Sequence, residues 1–143
     1  MAFTPTFFLM GRAAVNSGAV SLEQDSFAVM LASEAYAPTD AQSNVAEVAP
    51  LEAQGYGYSP GGLPLPPMGL TADVPARMIR WGAGAPPVVW PNLTVPDFRW
   101  VIGYCLKDGT LIFHGDLGPQ RVSEADVTLR WNENGIGFEQ IAT

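Results

Sequence analysis

Apolar residues in this chain gather in short runs separated by turn chemistry. Arg77 to Trp81 and Val127 to Trp131 alternate polar and apolar positions, the period of a half-buried strand. Phe27 to Ser33 is a continuous apolar run with polar residues on both sides, and its length favours a buried strand over a helix. Phe98 to Leu106 is rich in aromatic and β-branched residues. Lys107-Asp108-Gly109 then reads as a turn and Thr110 to Leu117 as the returning strand, so 98–117 is a predicted hairpin. Asn134-Gly135 predicts a second hairpin, joining 127–131 to 136–141. Val88 to Trp90 reads as a short strand that stops at Pro91, after a loop over 82–87. Near the start, residues 5–17 predict a short helix, with Pro5 in its first turn and Gly18 just past its end. Residues 39–53 read as a long connection or a short surface helix.

Six or seven strands with little helix predict an all-β chain, one β-sandwich or small barrel-like domain over residues 1–143. Its appendages are an N-terminal segment, 1–22, and a Pro/Gly-rich arm, 54–72. Composition sharpens this picture in one respect. Gly 15 and Pro 13 in 143 residues, without a period, imply many turns and few long helices.

Charge removes one class of partner. Seven Lys and Arg face 14 Asp and Glu, and no basic residue occurs between Arg12 and Arg77, so phosphate neutralisation is poorly served and nucleic acid is not expected. One Cys and one His exclude an internal disulfide framework and a His/Cys zinc site. The first residues carry no basic region ahead of their apolar run, and no run reaches the about 18 apolar residues of a membrane span. A soluble protein made in a cytoplasm, with no membrane partner, is the expectation.

Candidate chemistry is sparse. His114 and Asp116 stand two apart on one predicted strand and so share a face, the minimum for an acid/base pair. No nucleophile motif accompanies them, and a plain strand histidine is the better reading. Cys105 in WVIGYCL reads as a small buried hydrophobe. The Asp residues lack calcium-loop spacing. Gly55-Tyr56-Gly57-Tyr58-Ser59-Pro60-Gly61-Gly62 is glycine-rich, but prolines and not a helix follow it, and no Lys is near, so it reads as turns and not as a phosphate cradle. No catalytic, cofactor-binding or metal-ligating residue is assigned. Tyr56 and Tyr58 alternate and are expected to share a face. With Leu63, Leu65, Met68 and Leu70 of the stiff Pro-rich arm they form the candidate interface, against the plainer reading that they cap the chain's own core.

Four blocks in order resemble a family of small tailed-bacteriophage virion structural proteins, variously described as head decoration, head fibre or tail fibre proteins. They are FAVMLASEAYAP (27–38), GYGYSPGG with Leu63 and Leu65, YCLKD with LIFHGDLG (104–118), and VTLRWNENGI (127–136). The chain departs from that pattern at Pro64, Pro66 and Pro67, and in its short turn at Lys107-Asp108-Gly109. The resemblance implies a virion role without catalysis. The leading expectation is a capsid decoration (cement) protein, on the capsid surface of the virion, assembled in the host cytoplasm. Its partner would be the major capsid protein, and self-association as a trimer is compatible with that role. The alternatives are a tail or fibre component that binds a host receptor, and, in a different class, a hydrolase built on His114 and Asp116. On this reading, deleting 60–69 leaves a folded domain that assembles poorly.

Overall fold

The computed structural model describes residues 3–131 and 136–139. Its elements are β1 (Pro5–Phe7), α1 (Leu9–Asn16), β2 (Phe27–Ala32), β3 (Leu63–Pro64), β4 (Leu70–Asp73), β5 (Met78–Trp81), β6 (Val88–Cys105), β7 (Leu111–Leu129) and β8 (Ile136–Glu139), with single 3-10 turns at Val45–Glu47 and Ala49–Leu51. The fold is all-β, as the pattern of short runs predicts. A five-stranded sheet has the order β1-β7-β6-β2-β3, and a three-stranded sheet the order β4-β5-β8; every pairing is antiparallel.

The continuous apolar run of β2 has a simple cause. Phe27, Val29 and Leu31 face one core cluster, and Ala28, Met30 and Ala32 face a second one on the other side of the sheet. The first cluster takes Trp81 from the three-stranded sheet, whose ring meets Phe27 at 5.0 Å and Phe113 at 6.0 Å. The second is covered by Phe8 and by Tyr36 and Val48 of the connection after β2. That connection, residues 33–53, holds the two 3-10 turns and no longer helix. Its first turn is capped by Asn44, whose Oδ1 accepts from Ala46 N at 3.0 Å, and by Glu47, whose Oε2 accepts from Asn44 N at 2.9 Å. Val45 N donates to Gly109 O at 2.8 Å, which ties the connection to the β6–β7 turn.

Three local expectations need correction. The N-terminal helix is shorter than 5–17. Residues 5–7 pair with 113–115 of β7 instead, and the helix spans Leu9–Asn16. Phe3 supplies the reason: it is buried against Phe113 and Trp131, so the chain must lie along the sheet before it can turn.

The strand from Val88 does not stop at Pro91. It runs to Cys105, paired throughout with β7, and contains both Pro91 and Pro96. The register shifts at Trp90/Leu93, Leu93/Val95 and Val95/Phe98. These bulges reset the strand's alternation, so Trp90, Leu93, Val95, Phe98 and Val101 all reach the first core cluster although they are unevenly spaced. Pro91 and Pro96 fall in the skipped, exposed positions, where no ladder donor is needed.

The second hairpin is not formed either. Val127 and Leu129 pair with Trp90 and Val88, whereas β8 pairs with β5 in the other sheet. The Asn134-Gly135 turn itself lies outside the described residues. The predicted 98–117 hairpin is present, with Gly109 at φ +78° closing its turn, as the inner end of the longer β6–β7 pair.

Gly103 marks a tight point in the core. A Cβ there would lie 2.1 Å from Cε1 of Phe113, a fully buried ring held between Trp81 and Trp131. Gly103→Ala is expected to cost about 1–3 kcal/mol in denaturant unfolding through overpacking. A change under about 0.5 kcal/mol would mean the ring has room to move.

Candidate functional site

The glycine-rich block and the arm after it close the outer edge of β2. Backbone pairing of β3 serves Ala28 and Val29, and Leu65 N donates to Phe27 O at 2.9 Å. Further along, Tyr58 Oη accepts from Leu31 N at 2.9 Å, Ala53 N donates to Leu31 O at 2.9 Å and Ser33 N donates to Leu51 O at 2.8 Å. One side chain, Glu52, holds this closure together. Its Oε2 accepts from Tyr58 Oη at 2.7 Å and from Gly61 N at 2.8 Å, while Tyr104 Oη donates to Gly61 O at 2.6 Å. Gly62, at φ +77°, passes so near β2 that a Cβ would lie 1.9 Å from Val29 O. Burial and the Glu52 carboxylate both push the Tyr58 phenol pKa up, so it stays a neutral donor.

This geometry redistributes the candidate interface residues. Tyr58 and Met68 are buried in the chain's own core, and Leu63, Leu65 and Leu70 pack partly buried against it. Tyr56 alone among the six stands out, 75% exposed. The expected shared face of Tyr56 and Tyr58 is not found. Gly57, at φ +84°, turns the chain between them and breaks strand alternation. Tyr56 is nevertheless firmly mounted: Thr94 N donates to its carbonyl at 2.9 Å, and Gly55 lies against the Thr94 and Val95 backbone. The expectation that 60–69 can be deleted without unfolding is therefore reversed, because the deletion would open β2 and remove Met68 from the core.

His114 and Asp116 do share a face, but each is engaged separately. Asp116 forms a two-point ion pair with Arg99, Nε–Oδ1 and Nη2–Oδ2 both at 2.9 Å. That pair, with a hydrogen bond from Gly118 N, holds its carboxyl down at about 2. Arg99 lies 5.3 Å over the Trp100 ring and 3.9 Å from Glu34. His114 is half-buried, with Phe8 at 4.7 Å and Trp100 at 6.3 Å from its ring. Burial lowers its pKa, partly opposed by Asp40. An imidazole packed edge-on by two aromatic rings, beside a carboxylate committed to arginine, is not arranged to pass protons between them. Cys105 is fully buried, and burial pushes its thiol pKa up. Among the described residues no three His, Cys, Asp or Glu side chains gather as metal ligands would. No helix of the described chain is long and apolar enough to cross a membrane.

A feature missed in the sequence is a groove of about 550 Å³ between residues 22–27 and 65–70. Its lining mixes apolar side chains with Glu23, Gln24, Asp25 and Ser26. Only the return of the arm past β2 brings the two segments together, so no local motif announces it. Asp25 accepts from Ser21 N at 2.8 Å and pairs with Lys107 at 2.9 Å, which together hold its carboxyl below the usual range. No family model, no curated protein and no solved structure matches this chain.

Two outcomes test this geometry. Tyr58→Phe leaves Leu31 N without a partner in a buried setting and is expected to cost about 1–3 kcal/mol in unfolding free energy. The second concerns pH. His114 has a depressed folded-state pKa, so its neutral form stabilises the fold fully above the unfolded value of 6.5. That stability falls as pH drops below 6.5, because the unfolded chain then binds the proton more readily. Thermal melts between pH 7.5 and 5 should show a declining midpoint, flattened in His114→Gln. A wild-type midpoint constant over this window would refute the assignment.

Proposed function

We propose that this chain is a structural protein of a tailed-phage virion, a capsid decoration (cement) protein that binds the outer surface of the major capsid shell through non-covalent contacts. The observation that carries the reading is the convergence of the resembling blocks. The run 27–38 supplies β2 and Tyr36, the block 55–65 closes the edge of β2, and 104–118 forms the turn and inner strands of the adjoining hairpin. Residues far apart in the chain thus serve one architectural unit, which is what an ordered family pattern with no catalytic residue in it should do. A rigid β body of this kind strengthens a shell by adding interface area at subunit seams, with no chemistry required. About 800 Å² per partner suffices for a stable contact, roughly a tenth of the 7524 Å² surface.

The tail or fibre alternative would be favoured by a tip of clustered exposed aromatics. Among the described residues Tyr56 is the exposed aromatic, while Trp81 and Trp90 are buried and Trp100 and Trp131 half-buried. The head is therefore the preferred location. Tyr56, rigid at its backbone and open at its ring, is the preferred anchor, since ordering it on binding costs little entropy. Purified protein should co-sediment saturably with capsid shells that lack it, and imaging should show regularly spaced density. Tyr56→Ala should weaken that binding about tenfold without moving the melting temperature. Absence of binding to shells would transfer the role to the tail.

A further inference from the structure

We infer that the exposed ring of Tyr56 seats in an apolar hollow of a second copy of this chain, a hollow formed by residues 63–66 of the arm and 87–89 at the start of β6. The inference deepens the decoration reading by naming what Tyr56 meets. It rests on that reading only for the place where copies lie side by side.

The hollow is shallow and open, about 410 Å³, with room for one ring. Its lining is accessible as well as apolar. Pro64 and Pro87 are exposed, Val89 is 44% exposed, and Leu63, Leu65 and Pro66 are half-buried. No lining side chain carries a charge or a hydrogen-bonding group. A charged or polar guest would lose water there and gain no side-chain partner. Proline rings and branched aliphatic chains suit the face of an aromatic ring instead. The open mouth suits tyrosine in particular, because its hydroxyl stays in water.

The occupant follows from charge. Each copy carries a net −7, so copies repel one another except across a surface built without charged residues. Two long stretches have none, 53–72 and 81–96. The fold brings these two together. Tyr56 O accepts from Thr94 N, Gly57 lies against Asn92, and the hollow joins 63–66 to 87–89. Ring and hollow are thus both built from the charge-free stretches, and Tyr56 is the exposed aromatic among the described residues. A partner selected by charge would find nothing in the hollow to pair with. One tyrosine buries at most about 150–250 Å², against about 1,200–2,000 Å² for a stable complex. The contact is therefore weak between free copies. It gains its effect where many copies are held side by side, and there it makes their binding cooperative.

The test uses two variants of the full chain. Tyr56→Ala keeps the hollow and lacks the ring. Val89→Arg, at an exposed position, keeps the ring and fills the hollow. Unchanged melting temperatures check both folds, and Pro87→Arg, in the loop before β6, takes the place of Val89→Arg if that variant melts lower. Isotope-labelled Tyr56→Ala, titrated with unlabelled Val89→Arg, should show saturable shifts of the Leu65 and Val89 amides, half-complete on the order of 1 mM. Neither variant should show them when concentrated alone. Raising NaCl from about 50 to about 300 mM should tighten the mixed pair about twofold, since salt screens the repulsion between copies. Shifts of those amides in Tyr56→Ala alone, no shift in the mixed pair, or weakening by salt would overturn the inference. The two readings fail separately. A mixed pair that forms, with no binding of wild type to shells, loses the decoration role alone. Wild type that binds shells, with no shift in the mixed pair, loses the tyrosine contact alone.

Discussion

The hydrogen bond from the Leu31 amide to the Tyr58 hydroxyl completes the outer side of β2, the strand buried on both faces, and much of the fold leans on it. A strand buried on both faces has no solvent to fall back on along its edge. Here the edge is closed in three ways within a few residues: by strand pairing at 28–29, by the tyrosine at 31, and by the 51–53 backbone at 31–33. Glu52 links the last two closures through Tyr58 and Gly61. The prolines then finish the work. In the register Ala28↔Pro64, with Leu65 bonded inward to Phe27, Pro64 lies at the position whose nitrogen faces away from β2, and a proline there offers no donor to a further strand.

That closure explains which parts of the structure are legible in the sequence. β2 and the inner β6–β7 hairpin are legible because their signals are local: a bounded apolar run, and two strands around Lys107-Asp108-Gly109. The outer half of the same hairpin is not. Its core-facing residues, Trp90, Leu93, Val95 and Phe98, are brought into line by bulges, so no fixed period marks them. The partner of β8 is likewise decided by tertiary pairing with β5, against the strong local signal of Asn134-Gly135. Tyr58 and Met68 look like recognition residues only until the arm is folded back. Their spacing from β2 carries no trace of the contact, because Tyr58 meets Leu31 across 27 residues.

Folding the arm back also relocates the surface available to a partner. Tyr56 stays exposed on a mounted backbone, and a groove of mixed apolar and polar lining opens between 22–27 and 65–70. Both are by-products of edge closure. Gly55 and Gly57 bring the Tyr56 backbone onto β6, and the run 65–70 forms one groove wall on its way from β3 to β4. A rigid body with pre-formed contact points loses little conformational entropy on docking, a property that the proposed decoration role would use. His114 stands outside both surfaces, packed between Phe8 and Trp100, and belongs to the stability of the N-terminal segment.

Hydrogen exchange at individual amides tests the closure of β2 most directly. If residues 51–65 are an integral part of the sheet, Leu31, Ala53 and Leu65 should exchange as slowly as Val101 and Ile102 in the middle of β6, through global unfolding alone. If those three amides exchange far faster while Val101 and Ile102 stay protected, the segment detaches as a free arm and the edge of β2 is open in solution, contrary to the structure described.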